Sequence, residues 1–497
     1  MNWNRTAPQD QTTADPSEVF KAGLENHHIA NTAYPIGHLI TMRSYKIPRS
    51  EVQRFAPLAW EGIERLGLYV HIPFCERRCG FCEYTVLDPA SMADSEDLYF
   101  DLLLGEFELY RQAVQSNSKT LIGFDIGGGT PSMAKTRHIA RVLQAARSSF
   151  NLPESVMISI ETTPKIAACQ SEKIKAYADL GIRRISMGVQ TINPKLLREV
   201  GREATSVAYN QTAAENIRTA GFQRFNIDIM YGFANQSLQS LEATLQHVID
   251  LEPEYITLYR TRYKGTRIAH QAMGITLEEV NAQAKLAKEM LLGAGYFGSP
   301  GKNTFSRLEN DPGAKGKMAG TSDYLTERVI HGTPYLGLGL GAQSLSEVTL
   351  AYNSGAADKR LEHYRRQVEA GELPIQDLYY LSREAAMGKM ISVSFYFGEV
   401  NLTSFRRKFG LSLEEAFPDE VAFLLEKRLM EYSLGSDPTL RLTVLGERSF
   451  NGVIALFYAG AVKAHLLNLS TVDEALNPSL SNPKKMNPLI YTNLHEF

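Results

Sequence analysis

The chain has 497 residues, enough for two or three domains at roughly 150 residues each. Hydrophobic residues make up 44% of it and charged residues 22%, which excludes a disordered or fibrous protein and predicts sizeable buried cores. The formal net charge of −3 gives no bulk attraction to nucleic acid or to an anionic membrane. No apolar run approaches the roughly 18 residues of a membrane span, and the polar N-terminal residues lack the apolar core of a signal peptide, so we expect a cytoplasmic protein.

Three of the four cysteines are clustered in one short segment, HIPFCERRCGFCEY. Cys75, Cys79 and Cys82 form a C-x3-C-x2-C pattern, and four cysteines are too few for a disulfide scaffold of this size. Three thiolates on one loop suit an iron–sulfur cluster, and a four-iron cluster then keeps one iron open to a small molecule. The alternative is a zinc site, which would need Cys169 or a distant histidine as its fourth ligand. We interpret Cys169 instead as a small buried apolar side chain.

Short apolar strands alternate with helices through the first part of the chain. The predicted strands are Leu68–Ile72, Leu121–Ile126, Val156–Glu161, Arg184–Val189, Phe225–Met230 and Tyr255–Tyr259. The predicted helices are Glu96–Val114, Thr136–Ser149, Glu172–Leu180, Val207–Ala220, Leu238–Leu251 and Leu277–Leu292. This alternation predicts an α/β fold of parallel strands closed into a partial or full barrel, with its chemistry at the C-terminal ends of the strands.

The rest of the chain has a different pattern. We expect an N-terminal extension over residues 1–60, with a helix from Ser50 to Arg65, and the barrel over residues 61–300. A Gly-rich segment follows over 301–355, and residues 356–497 are expected to form a mainly helical C-terminal domain. Within that domain, residues 411–449 predict two helices and a short β wing, as in a winged-helix module.

Further motifs follow the cysteines in order, and together they identify a resemblance. They are YVHIPFC (Tyr69–Cys75), GGGTPS (Gly127–Ser132), GVQ (Gly188–Gln190), NIDIMYG (Asn226–Gly232) and LGLGLGAQS (Leu336–Ser344). With the C-x3-C-x2-C pattern they resemble the radical S-adenosylmethionine (SAM) superfamily, and within it the oxygen-independent coproporphyrinogen III oxidase and heme chaperone family. The resemblance covers about Leu68 to Ser344.

That resemblance implies a radical SAM partial (β/α)6 barrel with a winged-helix-like C-terminal domain. It also implies a [4Fe-4S] cluster on Cys75, Cys79 and Cys82, and SAM as a second cofactor, in two molecules. The expected partners are a small-molecule substrate and a reductant such as flavodoxin or ferredoxin, with no nucleic acid. The Gly-rich segment is expected to complete the SAM site.

Several residues are expected to touch the first SAM. Bare glycines let backbone approach a ligand, and their exposed N–H groups bind carboxylates, so Gly128, Gly129 and Thr130 are candidates, although such a run alone is more often a tight turn. The resemblance assigns Glu161 to this SAM, with ribose hydroxyls as its partners, and Tyr69 and Phe81 to packing against it. A cap or ion pair for Glu161, and a plain core role for Tyr69, are the alternatives. Gln343 is expected to touch the same molecule.

A second SAM is expected on Gln190, Arg202 and Asp228, which match the family positions that hold it. A cation there pairs with the SAM carboxylate and an anion with its amine. The alternative for these two charged residues is an ordinary Arg–Asp salt bridge.

The resemblance implies that one electron from the cluster cleaves SAM to methionine and a 5′-deoxyadenosyl radical, which abstracts a hydrogen atom. Two departures bear on the reaction: Tyr84 replaces the fourth cysteine of C-x3-C-x2-C-x-C, and no His-Asn-x-x-Tyr-Trp motif precedes Leu336. We therefore predict the class C methyltransferase-like branch, which methylates an sp2 carbon of an aromatic or tetrapyrrole-like substrate. The alternatives are a coproporphyrinogen III oxidase-like oxidoreductase and a heme-binding chaperone without catalysis.

Overall fold

The structure is a computed structural model that describes residues 14–29, 34–87, 92–202, 204–307 and 321–469. Parts of the expected N-terminal extension, Gly-rich segment and C-terminal domain (residues 1–13, 30–33, 308–320 and 470–497) therefore lie outside the described residues. Within the described ranges, no helix is both long and apolar enough to cross a bilayer.

The strands of the described residues form an eleven-stranded sheet and a separate three-stranded sheet. They are β1 (Arg65–Ile72), β2 (Thr120–Gly128), β3 (Ile158–Thr162), β4 (Ile182–Gln190), β5 (Arg224–Tyr231), β6 (Tyr255–Arg260), β7 (Thr304–Ser306), β8 (Tyr335–Leu338), β9 (Gln343–Leu345), β10 (Thr349–Asn353), β11 (Ile375–Tyr380), β12 (Glu399–Asn401), β13 (Met430–Ser433) and β14 (Thr439–Leu442). β1 to β6 lie side by side in chain order, and all five pairings between them are parallel. The predicted parallel α/β fold is confirmed.

Helices connect these strands and continue beyond them. They are α1 (Pro16–Glu25), α2 (His38–Thr41), α3 (Val52–Leu58), α4 (Met92–Ala113), α5 (Thr136–Ser149), α6 (Pro164–Cys169), α7 (Ser171–Asp179), α8 (Pro194–Glu199), α9 (Asn210–Thr219), α10 (Leu238–Asp250), α11 (Leu277–Gly293), α12 (Asp323–Thr326), α13 (Leu361–Glu369), α14 (Arg383–Ser394), α15 (Leu402–Phe409), α16 (Leu413–Ala416), α17 (Pro418–Glu426), α18 (Val444–Arg448), α19 (Phe450–Ala455) and α20 (Gly460–Leu467). The expected helix from Ser50 to Arg65 is too long, since α3 ends at Leu58 and Arg65 already belongs to β1.

The Gly-rich segment joins the sheet on the far side of β1. β8 pairs in parallel with β1, and β9, β10 and β11 then extend the sheet in antiparallel fashion. At the opposite edge β7 pairs antiparallel with β6. β1 is therefore an inner strand, and its buried Leu66, Leu68 and Val70 belong to the main hydrophobic core. Leu66, Leu68 and Val70 alternate along the strand and therefore share one face of the sheet.

A second hydrophobic core joins the two ends of the described chain. Val19 of α1 packs there with Leu424 of α17 and Ile454 of α19. α16 and α17 are followed by the β13–β14 hairpin, which pairs with β12 through β14. This is the helix, helix and wing order that the sequence predicts for residues 411–449. The N-terminal segment thus folds onto the C-terminal helices.

Glu106 of α4 connects three elements near the C-terminal end of β8. Its carboxylate is fully buried and accepts hydrogen bonds from the Gly339 N–H at 2.7 Å, the Tyr364 hydroxyl at 2.6 Å and the Asn353 amide at 2.7 Å. Burial raises the pKa of Glu106 to about 7, although the three donors favour the ionised form. The Gly-rich turn after β8 is therefore held by one buried carboxylate.

We expect Glu106→Ala to lower the free energy of unfolding by about 2 kcal/mol or more, because it leaves buried donors without an acceptor. Urea denaturation measures this. The matched control is Glu108→Ala on the same helix, where the exposed carboxylate pairs only with neighbouring side chains such as Arg111. The control is expected to change stability by no more than about 0.5 kcal/mol. Equal effects of the two substitutions would contradict this role for Glu106.

Candidate functional site

A cavity of about 440 Å³ lies at the C-terminal ends of the parallel strands. Each strand from β1 to β6, or the loop directly after it, contributes to the wall. These contributions are Cys75 after β1, Gly128 at the end of β2, Glu161 on β3, Gln190 at the end of β4, Asp228 on β5 and Arg260 at the end of β6. The barrel prediction expects the chemistry at the C-terminal ends of the strands, and the cavity lies there.

All three cysteines of the C-x3-C-x2-C motif line this cavity. Burial raises the pKa of the Cys75 thiol to about 12 and that of Cys82 to about 11. In the described ranges, no three His, Cys, Asp or Glu side chains converge as ligands of a single metal ion. An iron–sulfur cluster is instead held by one thiolate at each protein-bound iron. Thiols spaced around one cavity fit a cluster.

The fourth cysteine has no part in this site. Cys169 ends α6, is exposed to solvent and does not line the cavity. The expectation that Cys169 is a buried apolar side chain is wrong, because α6 turns its Ile166 and Ala167 inward instead. Outside the cavity, Cys169 is also not the fourth ligand that a zinc site would need.

Two side chains from outside the loop hold the end of the cysteine loop. His71 Nε2 contacts the Thr85 carbonyl at 2.7 Å, and Lys359 Nζ donates to the carbonyls of Glu83 at 2.8 Å and Tyr84 at 3.3 Å. Burial lowers the pKa of His71 to about 4, so its ring is neutral at neutral pH. Lys359 comes from the segment between β10 and α13, so that segment fixes the loop beside Cys82.

The glycine loop after β2 lies directly against the cysteine loop. A Cβ on Gly129 would stand 2.6 Å from the Phe74 carbonyl oxygen and 3.0 Å from Cys75 Sγ, and Gly128 has a φ of +122°. The N–H groups of Gly129 and Thr130 donate to the carbonyls of Ile72 at 2.9 Å and Phe74 at 2.7 Å. These two N–H groups are therefore bonded within the protein, while Gly128, Gly129 and Thr130 all line the cavity and their contact with SAM stays a prediction. The glycines permit the close approach of the two loops.

Glu161 faces the cavity from β3. Its pKa is raised to about 8, chiefly by burial and then by the nearby carboxylates of Asp228 and Asp125, and the Gly128 N–H opposes this by donating to it. A carboxylate at this position can accept hydrogen bonds from a ligand's hydroxyl groups. No ion pair holds Glu161 within the described residues, so the ion-pair alternative finds no support.

Two of the expected SAM contacts lie outside the cavity wall. Tyr69 is buried and stacks on Tyr324 with ring centroids 6.0 Å apart, and Gln343 is buried beside Tyr335, whose hydroxyl donates to it. The burial and ring packing of Tyr69 are compatible with the core role that was its alternative, and its contact with SAM stays a prediction. Phe81 does line the cavity, with the guanidinium of Arg202 at 5.8 Å from its ring.

Gln190, Arg202 and Asp228 line one side of the cavity. Gln190 has a φ of +67°, which is uncommon for a residue other than glycine, and its buried Oε1 has no hydrogen-bond partner. Arg202 donates to Cys79 Sγ at 3.3 Å and to the Gly188 carbonyl at 2.6 Å. An unpartnered buried amide oxygen at a strained backbone position is typical of a ligand contact.

Asp228 is held by its own strand and the neighbouring one. Its carboxylate accepts from the Ser186 hydroxyl at 2.9 Å and from the Asn226 amide at 2.7 Å, and burial raises its pKa. Arg202 and Asp228 bond to different groups and not to each other, so the simple Arg–Asp salt bridge is not formed.

Sequence reasoning missed two arginines that line the cavity at and just beyond the end of β6. Arg260 and Arg262 stand in YITLYRTR, where an apolar strand ends in closely spaced cations. Charged residues at the C-terminal end of a barrel strand indicate a functional site, so the sequence alone could have identified these two arginines. Lys165 at the start of α6 was missed as well.

The comparisons with known proteins agree with this geometry. Residues 69–248 match the family model of the Radical SAM superfamily. The chain therefore contains a radical SAM domain, and this superfamily uses a [4Fe-4S] cluster and SAM. The solved structure of coproporphyrinogen III oxidase (HemN) from Escherichia coli matches with a TM-score of 0.67 at 23% identity, over 83% of this chain and 93% of that one. The two proteins share a fold.

Curated relatives carry two kinds of name. The heme chaperone HemW of Haemophilus influenzae is 30% identical over 39% of this chain and 50% of its own length. HemW of Lactococcus lactis is 24% identical over 73% of this chain and 90% of its own. The oxygen-independent coproporphyrinogen III oxidase of Cereibacter sphaeroides is 26% identical over 71% and 77%. The chain thus spans only about half the length of the Haemophilus influenzae relative.

We expect Lys359→Met to release iron to a chelator about tenfold faster than the wild type after anaerobic reconstitution, because residues that hold metal ligands commonly change affinity by this much. Iron release is followed by the absorbance of the iron–chelator complex. The matched control is Lys288→Met, where the ammonium pairs with Glu447 away from the cavity. Identical release rates in both variants and the wild type would show that Lys359 does not hold the cysteine loop.

Proposed function

We propose that this protein is a radical SAM enzyme that oxidises an anionic tetrapyrrole, with the reaction type of oxygen-independent coproporphyrinogen III oxidases. The observation that carries the proposal is the single cavity that joins three thiols, Glu161 and several cationic side chains at the ends of six parallel strands. The names of the relatives support a tetrapyrrole as the substrate class.

Different residues of the cavity would hold the cluster and SAM. Cys75, Cys79 and Cys82 would hold the cluster, while Glu161 would accept hydrogen bonds from SAM and Phe81 would pack against it. When bound, the cluster and SAM supply a one-electron cleavage that begins hydrogen-atom abstraction. The chain itself orients the bound molecules and excludes water from them.

Methylation is the second candidate, and one observation favours it. The unpartnered Oε1 of Gln190 beside Arg202 and Asp228 offers a place for a second SAM, which a methyl-transfer reaction would consume. Tyr84, which stands where a fourth cysteine would be expected, also lines the cavity. The relatives nevertheless favour the oxidase reaction over C-methylation, which the sequence analysis preferred. A heme chaperone function is the third candidate, from the names of other relatives.

We propose further that the electron comes from a small reductant such as flavodoxin or ferredoxin, and that the enzyme works in the cytoplasm. The basis for both is the oxygen-sensitive, reducible centre that the three thiols would hold.

We expect the anaerobically reconstituted protein, with SAM and dithionite, to produce 5′-deoxyadenosine, measured by liquid chromatography and mass spectrometry. Cys75→Ala is expected to reduce the product to background, because it removes a ligand of the cluster. Cys169→Ala is the matched control and is expected to retain wild-type production, since this exposed cysteine is outside the cavity. Wild-type production no higher than that of Cys75→Ala would exclude every radical SAM reaction.

With coproporphyrinogen III added, we expect mass spectrometry to show oxidative loss of carboxyl groups from the tetrapyrrole. S-adenosylhomocysteine and a methylated product would instead establish the methylation candidate. Tight heme binding with SAM left intact would establish the chaperone candidate. Either of these two results would overturn the oxidase proposal without affecting the cluster assignment.

A further inference from the structure

We infer that Arg260 binds a carboxylate of the substrate. The inference rests on the proposed function, since it names how a tetrapyrrole would be recognised in the same cavity. It concerns the end of β6, to which the sequence motifs assign no role.

Charge pairing in the cavity wall singles out Arg260. The cationic side chains that line the cavity are Arg77, Lys165, Arg202, Arg260 and Arg262. Lys165 pairs with Glu76 at 2.6 Å, Arg262 pairs with Glu83 at 3.1 Å, and Arg202 donates to Cys79. Arg77 is exposed on the cysteine loop. Within the described part of the chain, Arg260 has no carboxylate partner.

The contacts of Arg260 leave its charge uncompensated. Its Nη2 donates to the His27 carbonyl at 3.0 Å, and the same carbonyl accepts from the Asn451 amide at 3.0 Å. Arg260 is half-buried, and burial lowers the pKa of its guanidinium. A cation withdrawn even partly from water is costly unless an anion pairs with it. A ligand carboxylate would supply that anion.

The histidine pair His27 and His28 lies against the guanidinium without adding charge beside it. The pKa of His27 is lowered to about 3 and that of His28 to about 4, chiefly by burial, with Arg260 contributing to both. Both imidazoles are therefore neutral at neutral pH, and His28 packs its ring edge-on against Tyr263 at 5.6 Å. The positive charge at this end of the cavity belongs to Arg260.

The position of Arg260 suits a substrate rather than a cofactor. The cysteine loop follows β1, and the candidate SAM contacts stand between β2 and β5, so β6 lies at the other end of the parallel series. Met230 and Tyr259 provide apolar surface beside Arg260 in the same wall. An apolar face next to one fixed cation fits a flat macrocycle that carries carboxylates on its rim.

Fluorescence titration of the reconstituted, unreduced protein with coproporphyrin III tests this inference without turnover. We expect Arg260→Gln to weaken binding of this tetracarboxylate about tenfold, and Arg260→Lys to weaken it less, because a charge-assisted hydrogen bond is lost or only partly replaced. Coproporphyrin III tetramethyl ester, titrated in the same buffer, is expected to bind the wild type and Arg260→Gln equally. The matched control is Arg218→Gln, since Arg218 also donates to a backbone carbonyl, that of Glu252 at 2.9 Å, but lies outside the cavity.

Equal affinity of Arg260→Gln and wild type for coproporphyrin III would overturn the inference, as would no binding to the wild type. Equal loss of the acid and the ester would also overturn it, because it would show a collapsed pocket rather than a lost charge pair. These outcomes are separate from the failure of the proposed reaction. An enzyme that binds the acid through Arg260 but does not oxidise it would retain the inference and lose the oxidase proposal.

Discussion

The site depends on the close approach of two loops at the ends of neighbouring parallel strands. The cysteine loop after β1 and the glycine loop after β2 are joined by backbone hydrogen bonds, and the absence of a side chain on Gly129 leaves room for the Phe74 carbonyl and Cys75 Sγ. Any larger residue at Gly129 would force the loops apart. Glu161 on the third strand faces the same cavity as these two loops.

Charge is distributed unevenly around this contact. Glu161 and Asp228 both face the cavity, and the pKa of Glu161 is raised by desolvation and then by the charge of Asp228. A smaller cavity of about 70 Å³ shares Glu161 and Asp228 and is also lined by Asp125 and Arg184, so charged side chains continue into the barrel interior. Charged and polar side chains inside a protein are costly when their hydrogen bonds are incomplete. This arrangement is expected where polar ligands complete the hydrogen bonding.

The features that the sequence predicts correctly are those set by local pattern. Apolar strands alternating with helices specify the parallel sheet, and the spacing of Cys75, Cys79 and Cys82 places three thiols on one loop. The errors concern contacts between distant segments. Motif membership alone does not show that Gln343 is directed at Tyr335, nor that Cys169 faces solvent. The surroundings of Arg260 form only because residues near His27 fold back onto β6. No local sequence pattern predicts that contact.

Every role proposed for the cavity requires that the three thiols hold a four-iron cluster with one iron open to SAM. Electron paramagnetic resonance of the anaerobically reconstituted and reduced protein tests it most directly. We predict a [4Fe-4S]⁺ signal whose g values shift when SAM is added, because the amine and carboxylate of SAM would occupy the open iron. A reduced protein without an iron–sulfur signal, or with a signal that SAM leaves unchanged, would contradict the account.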